Sequence, residues 1–223
     1  MKLIATLIIL FSHFAIQLSK ATTFFSSHEY YPTFVGNRWV LRSSVKPVEE
    51  HVVEITDKEF IAGQEVNALS RHTHKGVDKL YIATFSDGVK VYRSEGNIGI
   101  FGNITFDYVP PETLIPSPLE VGTTWEIVGK TTVNQLELRM STVSTVIAKE
   151  DVTVPAGIFH NCLLIQQRHI ITAPLKISVT GKIWLAPNVG LVKEMNTNGV
   201  IFELVEYELF YPWDVNHDMK VDL

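Results

Sequence analysis

Apolar and polar residues alternate with a period of two along most of this chain, in short runs set apart by turn residues. Val53 and Ile55 alternate with Glu54 and Thr56, and Leu136, Leu138 and Met140 with Glu137, Arg139 and Ser141. Successive side chains of a strand point to opposite faces, so this alternation predicts half-buried β-strands. No stretch sustains an apolar stripe at helical spacing over three turns. Asp87-Gly88 separates residues 81–85 from 89–93, and Asn198-Gly199 separates 192–195 from 200–209. Both dipeptides accept the positive φ of a two-residue turn, which predicts two tight hairpins. In the last run the phase changes: Phe202 and Leu204 lie on one register, then Val205, Tyr207 and Leu209 on the other. A one-residue slip would turn the buried face outward, so a β-bulge is expected at Leu204-Val205.

The chain also repeats itself. Pro32-Thr33-Phe34-Val35-Gly36-Asn37-Arg38-Trp39 is echoed by Pro118-Leu119-Glu120-Val121-Gly122-Thr123-Thr124-Trp125, each reading P-x-x-V-G-x-x-W into a strand. Proline stiffens the approach, glycine permits a sharp turn and tryptophan anchors the strand in the core. The echoes head two halves, 31–108 and 118–211, joined by a crossover at 109–118 that holds four prolines. Either half alone would leave long open edges. The expected fold is all-β: a single strongly curved antiparallel sheet or open barrel of roughly ten strands, built from two similar halves.

Composition and the chain ends add the compartment. Lys2 precedes an apolar run over 3–18, and Ser19-Lys20-Ala21 places small residues for cleavage after Ala21, the pattern of a signal peptide over 1–21. An all-β domain is expected over 22–211 and an acidic tail over 212–223. No second segment is apolar and long enough for a transmembrane span, so the expected location is extracytoplasmic, secreted or periplasmic. A net charge of −5 argues against nucleic-acid partners, which require clustered cations. Cys162 is the one cysteine. No internal disulfide can form, and within His-Asn-Cys-Leu-Leu-Ile it reads as a small buried apolar residue rather than a nucleophile.

Two resemblances follow from motifs. Tyr31-Pro32-Thr33-Phe34-Val35-Gly36-Asn37-Arg38-Trp39, the block Val152-Thr153-Val154-Pro155-Ala156-Gly157-Ile158-Phe159-His160-Asn161-Cys162, and Trp184-Leu185-Ala186-Pro187-Asn188-Val189-Gly190-Leu191-Val192-Lys193 stand in this order. Together they resemble a secreted bacterial β-protein family of unknown function, TapB-like. The resemblance implies a bacterial extracytoplasmic β domain and assigns no catalytic residue. At the carboxyl end, Asp214, Asn216, Asp218, Lys220 (through its carbonyl) and Asp222 fall at positions 1, 3, 5, 7 and 9 of an EF-hand loop. The wording resembles the first calcium loop of a type I dockerin. Met219 stands where the loop normally has glycine, and position 12 lies beyond Leu223, so calcium is expected to bind weakly there.

Candidate catalytic groups are sparse. His72 and His74 have a spacing that can serve zinc, with no third ligand in a partner motif. Glu203, Glu206 and Glu208 read mainly as a solvated row, and Asp151 as the cap of a turn. Neither a G-x-S-x-G elbow nor a P-loop is present. Trp39, Trp125 and Trp184 read as core, with Trp213 the most exposed. The expectation is a non-enzymatic binding or cell-envelope module whose partner is a protein or envelope component, assembled through its dockerin-like end. A carrier of lipid or another apolar ligand in the concave face is the alternative, ahead of a metal-dependent hydrolase.

Overall fold

A computed structural model describes residues 27–97, 102–133, 135–172 and 176–211. The expected signal peptide and calcium loop, with Trp213, lie outside the described residues. Beyond one helical turn, α1 (Ser27–Tyr30), the described chain is strand and connection. The first half forms β1 (Arg38–Ser43), β2 (Glu50–Ile61), β3 (Gln64–Thr73), β4 (Gly76–Phe85), β5 (Gly88–Asn97) and β6 (Asn103–Pro116). The second forms β7 (Thr124–Val133), β8 (Leu136–Val154), β9 (Gly157–Ile171), β10 (Ile177–Ala186), β11 (Gly190–Met195) and β12 (Ile201–Glu208). All twelve join one antiparallel sheet in the order β6-β5-β4-β3-β2-β1-β12-β11-β10-β9-β8-β7. The sheet curls into a nearly closed barrel, so the fold is the single curved sheet of two halves that the alternation predicts, with twelve strands rather than about ten.

The halves are joined by the β1–β12 ladder, and the remaining edges, β6 and β7, face each other across a seam. There the Trp125 indole donates to the Leu114 carbonyl at 2.8 Å. Lower on the seam Gly129 lies flat against Phe106, where a Cβ would come within 2.7 Å of the ring.

The repeat in the sequence is a repeat in space. The Gly36 N–H donates to Ile55 O, the Ile55 N–H to Asn37 O and the Asn37 N–H to Phe34 O. In the second half Gly122 donates to Val146, Val146 to Thr123 and Thr123 to Glu120 in the same pattern. Gly36 and Gly122 have φ of +102° and +95°, which explains glycine at both turns. The equivalence continues through the bulges. β2 slips after Ile55 against β3, and β8 slips after Val146 against β9. Likewise Tyr92 is passed over between β4 and β5, and Val192 between β10 and β11. Beside these bulges Arg93 bonds Asp107 at 2.6 Å below Tyr81, and Lys193 bonds Glu203 at 2.9 Å below Trp184.

Local expectations fare unevenly. The bulge at Leu204-Val205 is present: Val40 faces Glu206 and Leu41 faces Leu204, leaving Val205 unpaired. The first hairpin is tight, but its two turn residues are Ser86 and Asp87, with Gly88 opening β5 at φ +139° opposite Phe85. The second is looser, since Met195 pairs with Ile201 and residues 196–200 form the connection. The Asn196 side chain organises it by accepting from the Asn198 and Val200 N–H groups, which competes with a two-residue turn. Pro110 and Pro111 lie within β6, where a register shift between Asp107 and Glu112 frees them from the ladder on an edge strand that tolerates proline.

Alternate residues of nearly every strand fill the lumen with one apolar core, including Trp39, Leu41, Ile55, Val146, Ile165, Leu185, Phe202 and Leu204. A smaller cluster, Val66, Ala68, Tyr81, Ala83 and Tyr92, packs on the opposite face of β3–β5.

Candidate functional site

The lumen is not filled throughout. A cavity of about 300 Å³ lies between the two halves. Its first-half wall is Trp39, Val53, Leu69 and Leu80, and its second-half wall is Ile183, Leu185 and Leu191. Leu114 and Ile115 of β6 close the seam side, and Tyr31 and Pro32 of the entering chain complete it. The ladder explains the alignment: Trp39 faces Val53, Val53 faces Arg71, and Arg71 faces Asp78, which sets one row of side chains across β1–β4. The next row pairs Leu69 with Leu80, matched in the second half by Ile165 with Ile183.

Polarity follows exposure in the lining: Val53, Ile115 and Leu185 are buried, the last fully, whereas the polar residues Arg71 (its side chain 35% exposed), exposed Asp78 and half-buried Gln167 reach solvent. Arg71 lies two residues beyond Leu69 and Gln167 two beyond Ile165, so these polar groups occupy equivalent places in the duplicated halves. The cavity is thus an apolar sac with a polar rim.

Behind Arg71 lies a charge cluster that joins the halves. Its guanidinium is 2.9 Å from Glu194 Oε2, and Glu194 Oε1 is 2.7 Å from His51 Nδ1. His51 stacks on Phe202, ring centroids 3.9 Å apart and planes 16° from parallel. Burial alone would push the Glu194 carboxyl up, but the Arg71 charge and the His51 hydrogen bond outweigh it and hold the carboxyl below its ordinary value. Burial pushes the nearby Tyr31 hydroxyl up to about 12, against an opposing pull from Arg71.

The residues singled out in the sequence fall elsewhere. Asp214, Asn216, Asp218, Lys220 and Asp222 lie outside the described residues. His72 Nε2 is 2.9 Å from Glu54 and His74 Nδ1 is 3.4 Å from Glu49, so each imidazole takes its own carboxylate. Among the described residues no three metal-binding side chains converge. Cys162 is fully buried, and its thiol is pushed up to about 11 chiefly by burial, as suits a packing residue. Asp151 caps the β8–β9 bulge, accepting from the Asn161 N–H at 3.0 Å and lying 2.8 Å from His160 Nδ1. Glu203 and Glu206 bond Lys193 and Arg38. Trp39 is core, and half-buried Trp184 donates its indole N–H to Glu150.

Arg71, Glu194 and His51 are not among the candidates that the sequence offers, although each carries a signal. His51 is in phase with Val53 and Ile55, Arg71 with Leu69, and Glu194 with Val192. An ionisable group in an apolar register is costly unless it finds a partner across the lumen.

Residues 123–201 match the family model described as DUF3108-like, a range that runs from the second P-x-x-V-G-x-x-W motif to the start of β12. No curated protein matches the chain. Among solved structures, a predicted lipoprotein from Parabacteroides distasonis is 16% identical, with 80% of this chain and 98% of that one covered and a TM-score of 0.47. A predicted exported protein with YmcC-like fold from Bacteroides fragilis is 14% identical, with 81% and 99% covered and a TM-score of 0.45.

Proposed function

We propose that this protein is an extracytoplasmic, non-enzymatic binding module that carries an amphipathic ligand, its apolar part in the lumen and its polar head at the rim. The cavity between the halves is the observation that supports this reading. Its volume, about 300 Å³, stands at the lower end of the range typical of small-molecule sites. An aliphatic sac of that size gains by exchanging water for hydrocarbon, and the rim fixes which end of the ligand faces out. The absence of enzymatic activity in this reading rests on the surroundings of the sac. Among the described residues its lining has no serine, cysteine or histidine, and Cys162 carries an unactivated thiol.

A homologous series of n-alkanols tests the reading. Each methylene buried contributes about 0.8 kcal/mol, so affinity should rise about fourfold per added carbon and level off once the sac is full. The Leu80→Trp variant, which fills the space with an indole, should bring the plateau to a shorter chain. Affinity independent of chain length in titration calorimetry would remove the sac as the binding site.

A further inference from the structure

The groups around the rim also specify the kind of head. We propose, resting on the carrier reading above, that the ligand's head is uncharged and hydrogen-bonding, a hydroxyl, ester or amide rather than a carboxylate, phosphate or ammonium.

Among the described residues Arg71 is the single cationic side chain in the cavity lining, and its charge is already answered. Glu194 holds the guanidinium at 2.9 Å, and Asp78 stands opposite Arg71 in the β3–β4 ladder. His51, bonded to the far oxygen of Glu194, can add at most one positive charge. With both carboxylates ionised, two carboxylates against one guanidinium and one imidazole leave a formal charge no higher than zero. An anionic head entering here would surrender its hydration without meeting surplus positive charge. An ammonium head would come up against Arg71, while Glu194 is engaged on both oxygens, and Asp78, exposed and with Oδ1 accepting from the Asn97 N–H at 3.3 Å, offers only a water-screened charge.

Two other polar groups in the lining have hydrogen-bonding capacity to spare. The Tyr31 hydroxyl and the Gln167 carboxamide face the cavity, and neither makes a side-chain hydrogen bond to a described residue. A hydroxyl and a carboxamide each donate and accept, which matches an alcohol, ester or amide and gives no preference for a charged group. With its proton held up to about 12, Tyr31 stays a donor under ordinary conditions. The duplication sharpens the point: the second-half equivalent of Arg71 is Gln167, so the rim carries one guanidinium where two equivalent places exist.

The test is displacement of a bound apolar dye from the full-length protein by three ligands of equal chain length, each below its micellar concentration: glycerol monododecanoate, dodecanoate and dodecylamine. Glycerol monododecanoate should displace the dye at least about tenfold more tightly than either charged ligand, a difference of about 1.4 kcal/mol. In Gln167→Leu and Tyr31→Phe that ratio should fall below about threefold. Because the readout is a ratio within one protein, a variant that loses the cavity declares itself by losing the dye. Equal or tighter displacement by dodecanoate or dodecylamine overturns the head assignment while the carrier reading stands. Failure of all three in the wild-type protein overturns both.

Discussion

At the scale of single residues, Glu194 has the most exacting position. It lies 4% exposed on β11 and reaches across the lumen to Arg71 and His51 on two strands of the other half. Removing one member of a buried ion cluster costs about 3–5 kcal/mol, because the groups left behind stay desolvated. Glu194→Gln should fall near the lower figure in urea denaturation, since Arg71 is exposed enough to recover some hydration. The carboxyl is held lower in the folded protein than in the unfolded chain, so its contribution is complete above the ordinary glutamate value near 4.5. It disappears as the pH falls through the lower, folded value. Wild-type stability should therefore drop on acidification from about 4.5 down through that folded value, and the drop should be shallower in Glu194→Gln. Parallel acid limbs in the two proteins would count against this role.

At the scale of elements, the seam between β6 and β7 is where the barrel depends on side chains instead of a ladder. Gly129 is the close approach, with room for hydrogen and not for a methyl group beside Phe106. Gly129→Ala should cost about 1–3 kcal/mol through overpacking. Paired with Phe106→Leu, which retracts the ring, the alanine should cost less than it does alone. Such coupling in a double-mutant cycle would place the strain at this contact; strict additivity would place it elsewhere. The seam also marks a limit of what sequence shows. Alternation in residues 136–140 and 201–209 reveals strands and even the bulge at Val205, because period and phase are local properties. That Trp125 would find the Leu114 carbonyl is a consequence of barrel closure, which no local window contains. The Asn196–Val200 connection went unread for a related reason: Asn198-Gly199 signals a turn, but the length of the loop is set by the Asn196 side chain.

At the scale of the molecule, duplication is the organising fact. Two P-x-x-V-G-x-x-W motifs were legible as an echo, and they mark the same hydrogen-bonded turn in each half. The cavity they enclose was not legible. It is lined by residues as far apart as Tyr31 and Leu191, and its volume depends on how far the two curved halves fail to meet. The sequence nevertheless held part of the site in plain view, as His51, Arg71 and Glu194 in apolar registers.

The most direct test of the lumen as a binding site is solution NMR of the methyl-labelled protein with glycerol monododecanoate. Intermolecular nuclear Overhauser contacts should run from the alkyl chain to the methyls of Leu69, Leu80, Ile183 and Leu185, with the glycerol protons near Gln167. Contacts confined to the outer cluster around Val66 and Ala83, or none to the lumen methyls at saturating ligand, would contradict it.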